Sequence, residues 1–193
     1  MVDIGPEGPE PAGLQPWYLA INPRGLVPAI VENGRPLFDS ATIMRYVNNV
    51  FEGPALAPED SGAFAEMNEW IDRADSFPIR ELSYRVLELD QDTPFKMWKF
   101  SMHDKVVAMK EQYPELSFIY DQKLKDFEDM SEGATDGYDA RFAEMSATMD
   151  HLNDRLQDRR WLLGDQYTLA DIAWTPLVLR LPYGRKIDVR EGS

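Results

Sequence analysis

Apolar residues recur along this chain with two different periods. Between residues 22 and 40 they form two short runs, Ala29-Ile30-Val31-Glu32 and Pro36-Leu37-Phe38, joined across Asn33-Gly34. Asn-Gly accepts positive φ at both central positions of a type I′ turn, so the runs are predicted to pair as an antiparallel hairpin. Pro28 opens the first strand, where a missing N–H is tolerated. Asn22-Pro23 and Gly25 punctuate the approach as a turn. Asp39 or Ser40 then caps a helix over 41–51, whose Ile43, Met44, Val47, Val50 and Phe51 share one face at helical spacing.

On either side of this block the pattern changes. Residues 5–15 are rich in Pro and Gly and read as loop, Pro16 to Ile21 make a short helix at most, and only Val2-Asp3-Ile4 can be strand ahead of them. Residues 52–59 read as an extended linker, and beyond it the apolar spacing lengthens into helices. A helix over 60–88 carries Phe64, Met67, Trp70, Ile71 and Ala74 on one face, with Pro78 kinking or breaking it. A second helical region over 95–131 is interrupted near Pro114. A third, over 136–158, sets Tyr138, Phe142, Met145, Met149, Leu152 and Leu156 in one amphipathic stripe, which core packing explains. The predicted division is residues 1–51, a linker over 52–59, and a helical part over 60–193.

The last helix has its own start signal. Thr168 followed three residues later by Asp171 is a capping-box pattern: the hydroxyl accepts from the N3 amide and the carboxylate reaches back to the Thr168 N–H. Tyr167 and Ile172 flank it as a hydrophobic staple. Its role is structural.

Composition removes several classes of function. The 193 residues are 44% apolar and include five Trp, enough for the core of one or two small domains. A net charge of −14 argues against a nucleic-acid surface, which needs clustered Lys and Arg. No apolar run approaches the ~20 residues that cross a bilayer. The N-terminus shows no basic stretch leading into an apolar one, and the expected location is cytoplasmic. With no cysteine, the chain holds no disulfide, thiolate zinc site or cysteine nucleophile. His103 and His151 are isolated and lack ligand-like spacing, so no metal site is expected.

Two well-separated blocks, in order, carry a family resemblance. Asn22-Pro-Arg-Gly-Leu-Val-Pro28, the hairpin and Asp39-Ser40 at a helix head resemble the second half of the thioredoxin-like domain of cytosolic glutathione transferases. Trp161-Leu-Leu-Gly-Asp165 and Tyr167-Thr-Leu-Ala-Asp-Ile-Ala173 resemble the buried helix of the same family's all-helical domain. Tyr113-Pro-Glu-Leu-Ser-Phe-Ile-Tyr120 and Trp174-Thr-Pro-Leu-Val-Leu-Arg180 look most like bacterial members related to tetrachlorohydroquinone reductive dehalogenases. The implied fold is α+β and mostly helical: an incomplete thioredoxin-like domain, hairpin plus helices, followed by an all-α domain.

The resemblance also implies a site. In the family a cis-proline follows the Val, as Pro28 follows Val27, leaving the Val backbone N–H and C=O to pair with the cysteinyl part of glutathione, the co-substrate. Asp39 and Ser40 match the acidic residue and Ser that hold its γ-glutamyl end, with Asp standing where the family usually has Glu. Arg24 reads as a solvent-exposed turn residue. Phe77, Arg80 and Tyr84 match positions that line the electrophile pocket. The partners implied are glutathione and a small hydrophobic electrophile, in a homodimer with a detoxifying role.

The family's first strand and first helix, which supply the hydroxyl or thiol donor for the glutathione thiolate, have no counterpart here, and the tail after Gly184 shows no helical periodicity. The expectation is a chain shortened at both ends relative to the family, with its catalytic residue unassigned and its activity impaired or absent. Ser76, Tyr84 and Tyr120 are the hydroxyls weighed as substitute donors, and each reads first as a surface or packing residue. The alternative is a non-catalytic binding or dimerisation module.

Overall fold

A computed structural model of the chain describes residues 11–77, 94–133 and 138–185. Its elements are α1 (Pro16–Leu19), β1 (Ala29–Glu32), β2 (Arg35–Phe38), α2 (Ser40–Val50), α3 (Ser61–Asp75), α4 (Pro94–Gln112), α5 (Ser117–Gly133), α6 (Tyr138–Leu156) and α7 (Leu169–Arg185). Single 3-10 turns stand at Ala12–Leu14 and Pro114–Leu116. The class is the expected one, mostly helical with one small sheet among the described residues. The predicted strand at Val2-Asp3-Ile4 and the stretch of helix beyond Pro78 lie outside the described residues.

The hairpin forms in the predicted register, Ala29 opposite Phe38 and Glu32 opposite Arg35. Asn33 and Gly34 take φ values of 49° and 77°, the left-handed pair that a type I′ turn requires. The chain packs as two compact units, one of Met1–Ile43 with Leu87–Gly133 and one of Met44–Val86 with Ala134–Ser193. These units interleave the segments drawn from the sequence.

In the first unit α4 and α5 pack on each other. Pro114 separates them: α4 ends at Gln112, one 3-10 turn follows, and α5 starts at Ser117. Leu14 and Leu19 from the N-terminal segment join Val106, Met109 and Tyr120 in a buried cluster, flanked by Leu116, Leu124 and Phe127. Val106 and Met109, three apart, share one face of α4, while the contribution of Leu14 and Leu19 is tertiary.

In the second unit α3 packs on α7. Asp60 caps α3, its carboxylate accepting from the Ala63 N–H at 2.8 Å. The helix ends at Asp75, ahead of Pro78, as expected where proline disfavours helical geometry in the residue before it. Met67, Trp70, Ile71 and Ala74 are buried as predicted, and the Trp174 indole N–H donates to the Trp70 carbonyl at 2.9 Å. Arg155 pairs with Glu66 and donates to the Leu162 carbonyl at 2.9 Å.

Several stripe positions are less covered than their spacing suggests. Phe64, Val47, Val50, Phe51 and Leu156 are all exposed. Periodicity decides which residues share a helix face, and the neighbours of that face decide how much of it is covered.

The α7 start keeps half of its predicted capping box. Asp171 reaches back to the Thr168 N–H at 2.8 Å, but the Thr168 hydroxyl donates to the same carboxylate oxygen at 3.1 Å rather than accepting from an amide. The other carboxylate oxygen accepts from the Leu162 N–H at 2.9 Å. Asp171 therefore ties the loop before the helix to its first turn while buried. Tyr167 packs edge-on against Trp161, with ring centroids 4.7 Å apart.

Candidate functional site

The loop over residues 22–28 is held by its own polar groups. Asn22, buried, accepts from the Arg24 N–H at 3.0 Å through its side-chain oxygen, an Asx-turn, and its carbonyl accepts from the Gly25 N–H at 2.8 Å. The Asn22 side-chain amide donates to the Leu26 carbonyl at 2.7 Å, and the Tyr18 hydroxyl donates to the same oxygen at 2.6 Å. Burial pushes the Tyr18 hydroxyl above its ordinary pKa of 10.0, against a smaller lowering by Asn22, so it remains a donor at neutral pH.

The Val27–Pro28 peptide is cis, matching the expectation for this motif. Val27 is 63% exposed, and neither its N–H nor its C=O is hydrogen-bonded among the described residues. Pro28 leads directly into β1.

Asp39 and Ser40 leave the same end of the hairpin. Ala29 and Phe38 form the last pair of the ladder, so Pro28 enters and Asp39 leaves the hairpin at the same end. Asp39 is the N-cap of α2: one carboxylate oxygen accepts from the Thr42 N–H at 3.0 Å, and its carbonyl accepts from the Ile43 N–H at 2.9 Å. Its φ is 80°, a left-handed conformation that costs a non-glycine residue on the order of 1 kcal/mol or more and that clusters at ligand sites. Ser40 is exposed as the first residue of α2.

This arrangement offers four recognition elements at one hairpin end: the backbone donor and acceptor of Val27, which have no partner among the described residues, a carboxylate at Asp39, a hydroxyl at Ser40 and the first amides of α2. An extended peptide-like ligand can pair with the Val27 backbone as an added strand. Its carboxylate suits the helix N-terminus and Ser40, and its ammonium suits the unused lone pairs of Asp39.

The other residues singled out from the sequence fall elsewhere. Arg24 is exposed in the turn, as expected. Phe77 is buried, with its ring edge-on to Trp174 at 5.3 Å, while Arg80 and Tyr84 lie outside the described residues. Two of the weighed hydroxyls are committed: Ser76 donates to the Arg73 carbonyl at 3.2 Å, and the fully buried Tyr120 donates to the Leu14 carbonyl at 2.8 Å. The His151 ring packs on Trp70, His103 lies beside Asp104, and among the described residues no cluster of three potential metal ligands occurs. Tyr18, Asn22 and Lys123 were not singled out as site residues. Asn two positions before Arg24 carries a readable Asx-turn signal; Tyr18 and Lys123 carry none, because their partners are set by packing.

The family model described as glutathione S-transferase, N-terminal domain, matches residues 2–50, and the one described as glutathione S-transferase, C-terminal domain, matches residues 135–191. The chain is similar to glutathione S-transferase F9 of Arabidopsis thaliana, 26% identical across 92% of this chain and 68% of that protein. It is similar to protein LigF of a Sphingobium species, 27% identical across 81% of this chain and 59% of that one. It also resembles the tetrachloro-p-hydroquinone reductive dehalogenase of Sphingobium chlorophenolicum, 23% identical across 86% of this chain and 66% of that one. The chain thus spans about three fifths to two thirds of the length of these relatives.

Two solved structures share the fold. The β-etherase LigF superposes with a TM-score of 0.67 at 24% identity, over 93% of this chain and 74% of that one. A glutathione transferase from Burkholderia graminis, crystallised with two glutathione molecules per subunit, gives a TM-score of 0.54 at 24% identity, over 88% of this chain and 57% of that one. No described helix is long and apolar enough to cross a membrane.

Proposed function

Because this chain belongs to the glutathione S-transferase family, matching its N-terminal and C-terminal domain models in order, we propose that it binds glutathione at the hairpin end built from Val27, Pro28, Asp39 and Ser40. The observation that carries this reading is the cis Val27–Pro28 peptide leading into β1 at the end of the hairpin where Asp39 and Ser40 leave β2 to start α2. The Val27 backbone pairs with the cysteinyl unit. Asp39 receives the γ-glutamyl ammonium, and Ser40 with the first α2 amides receives its carboxylate.

The bound thiol supplies the nucleophile for transfer to a small hydrophobic electrophile. Similarity to a protein crystallised as a β-etherase and to a reductive dehalogenase supports ether cleavage or reductive dehalogenation as narrower forms of that reaction. A homodimer in the cytoplasm, with a detoxifying role, completes the reading on family grounds.

A second reading, a glutathione-binding or dimerisation module without catalysis, is favoured by one observation. Ser76 and Tyr120 spend their hydroxyls on backbone carbonyls, so neither is free to stabilise a thiolate.

Calorimetric titration with reduced glutathione tests the site. Ser40→Ala should bind about tenfold more weakly, the loss of a hydrogen bond to a charged group. Equal affinity would remove Ser40 from the site. Conjugation of a chloronitrobenzene by the same preparation separates the two readings: turnover marks a transferase, and binding without turnover marks the module.

A further inference from the structure

We propose that Lys123, on α5, is a positioning residue for glutathione: by holding the turn over residues 22–25 it fixes the direction in which the Val27 backbone is presented. The inference rests on the proposed binding reading and extends it to a residue far along the chain.

Gly13 and Gly25 meet backbone to backbone, so closely that a Cβ on Gly13 would lie 2.7 Å from the Gly25 carbonyl oxygen. The residue beside each glycine has its carbonyl held by α5. The Tyr120 hydroxyl donates to the Leu14 carbonyl at 2.8 Å, and the Lys123 ammonium donates to the Arg24 carbonyl at 2.6 Å. Residues three apart on a helix share a face, so one face of α5 grips both sides of the glycine contact. Below that face, Leu14 and Tyr120 are buried together in the core of the same unit.

The two grips differ in kind. Tyr120 is fully buried, and its bond to Leu14 is part of the core. Lys123 reaches the exposed outer side of the turn, three residues before Val27. Tyr18 and Asn22 also brace the loop, both at the Leu26 carbonyl, but they belong to the same short segment as the loop itself. The Lys123 bond ties the turn to a 17-residue helix. A charge-assisted donor to a carbonyl is among the stronger hydrogen bonds. Removing it leaves the Tyr18 and Asn22 contacts intact while freeing the turn to pivot about them. An added-strand ligand depends on the direction of the Val27 N–H and C=O, so the pivot is read out as lost affinity.

The test uses Lys123→Met, which keeps the aliphatic stem and removes the donor, and Lys123→Arg, which restores one. Each is titrated with reduced glutathione, and amide hydrogen exchange is measured without ligand. Lys123→Met should bind about tenfold more weakly, with faster exchange over residues 22–28 and unchanged exchange in α4. Lys123→Arg should return affinity to within about twofold of the parent. Parent-like affinity in Lys123→Met, or unchanged exchange over the turn, overturns the proposal. If Ser40→Ala weakens binding while Lys123→Met does not, positioning fails and the binding site stands. If the parent itself does not bind glutathione, both fall together.

Discussion

Replacing Gly25 by alanine is expected to be the most damaging single-methyl addition in the loop, and its cost can be built from two separate parts. The first is conformational: Gly25 has a φ of 61°, where a Cβ costs about 1 kcal/mol, partly offset by about 0.5 kcal/mol from the stiffer unfolded chain. The second is steric, because the new Cβ would overlap the Gly13 carbonyl oxygen and sit 2.5 Å from the Lys123 ammonium nitrogen. The lysine end can swing away at the expense of its bond to Arg24. The Gly13 backbone must shift, and overpacking of this kind costs about 1–3 kcal/mol. The sum is about 1.5–3.5 kcal/mol.

Two other glycines separate the parts. Gly34 has a φ of 77° but nothing within 4 Å of the place a Cβ would take, so Gly34→Ala should cost only the conformational share, below about 1 kcal/mol. Gly13 has no positive φ but the 2.7 Å approach to the Gly25 carbonyl, so Gly13→Ala should cost the steric share, about 1.5 kcal/mol. Urea unfolding at constant m reads these directly, and for a chain of this size each kcal/mol lowers Tm by about 2–4 °C. Because the two glycines touch, the Gly13→Ala/Gly25→Ala double variant should cost less than the sum of the singles. If Gly25→Ala were no worse than Gly34→Ala, the backbone contact would not constrain the loop, and the reasoning would fail.

Other outcomes follow from buried polar groups. Asp171→Ala should lower stability by about 3 kcal/mol in chemical unfolding, because it strands the Leu162 and Thr168 N–H groups in a buried site; a loss below about 1 kcal/mol would mean that water replaces the carboxylate. Burial raises the Tyr120 hydroxyl above its ordinary pKa of 10.0, helped by negative charge at Tyr113 and Glu115, and burial raises Tyr18 as well. The folded chain then keeps protons that the unfolded chain releases, so this contribution is complete below pH 10 and stability falls as pH rises beyond it. Tyr120→Phe should be less stable at neutral pH by about 1–2 kcal/mol, from the unpaired Leu14 carbonyl, and should show a shallower alkaline decline. An equally steep decline in that variant would detach the effect from Tyr120.

Much of the site was legible along the chain because its parts are local. Asn33-Gly34 selects the hairpin turn through its own φ preferences, and the turn sets the register in which Ala29 meets Phe38. Asp39 as a helix cap needs only its neighbours up to Ile43. Other expectations stopped short for physical reasons. The spacing of Val47, Val50 and Phe51 was right for a helix face, but coverage depends on what packs there, and all three are exposed. Thr168 and Asp171 were correctly paired, yet the hydroxyl is a donor to the Asp171 carboxylate, whose other oxygen takes the Leu162 amide.

By itself, then, the sequence determined the hairpin, its register, the helix starts and the order of family motifs. Each depends on φ/ψ limits and hydrogen bonds that close within a few residues. Only the tertiary structure decided which distant groups support the loop. Tyr120 meets Leu14 across 106 positions and Lys123 meets Arg24 across 99, and the Gly13–Gly25 contact exists because both segments lie on α5. Helical periodicity places Tyr120 and Lys123 on one face. Which backbone that face meets is set by how far the helix is slid and rotated against its neighbours, and no local pattern of residues encodes that.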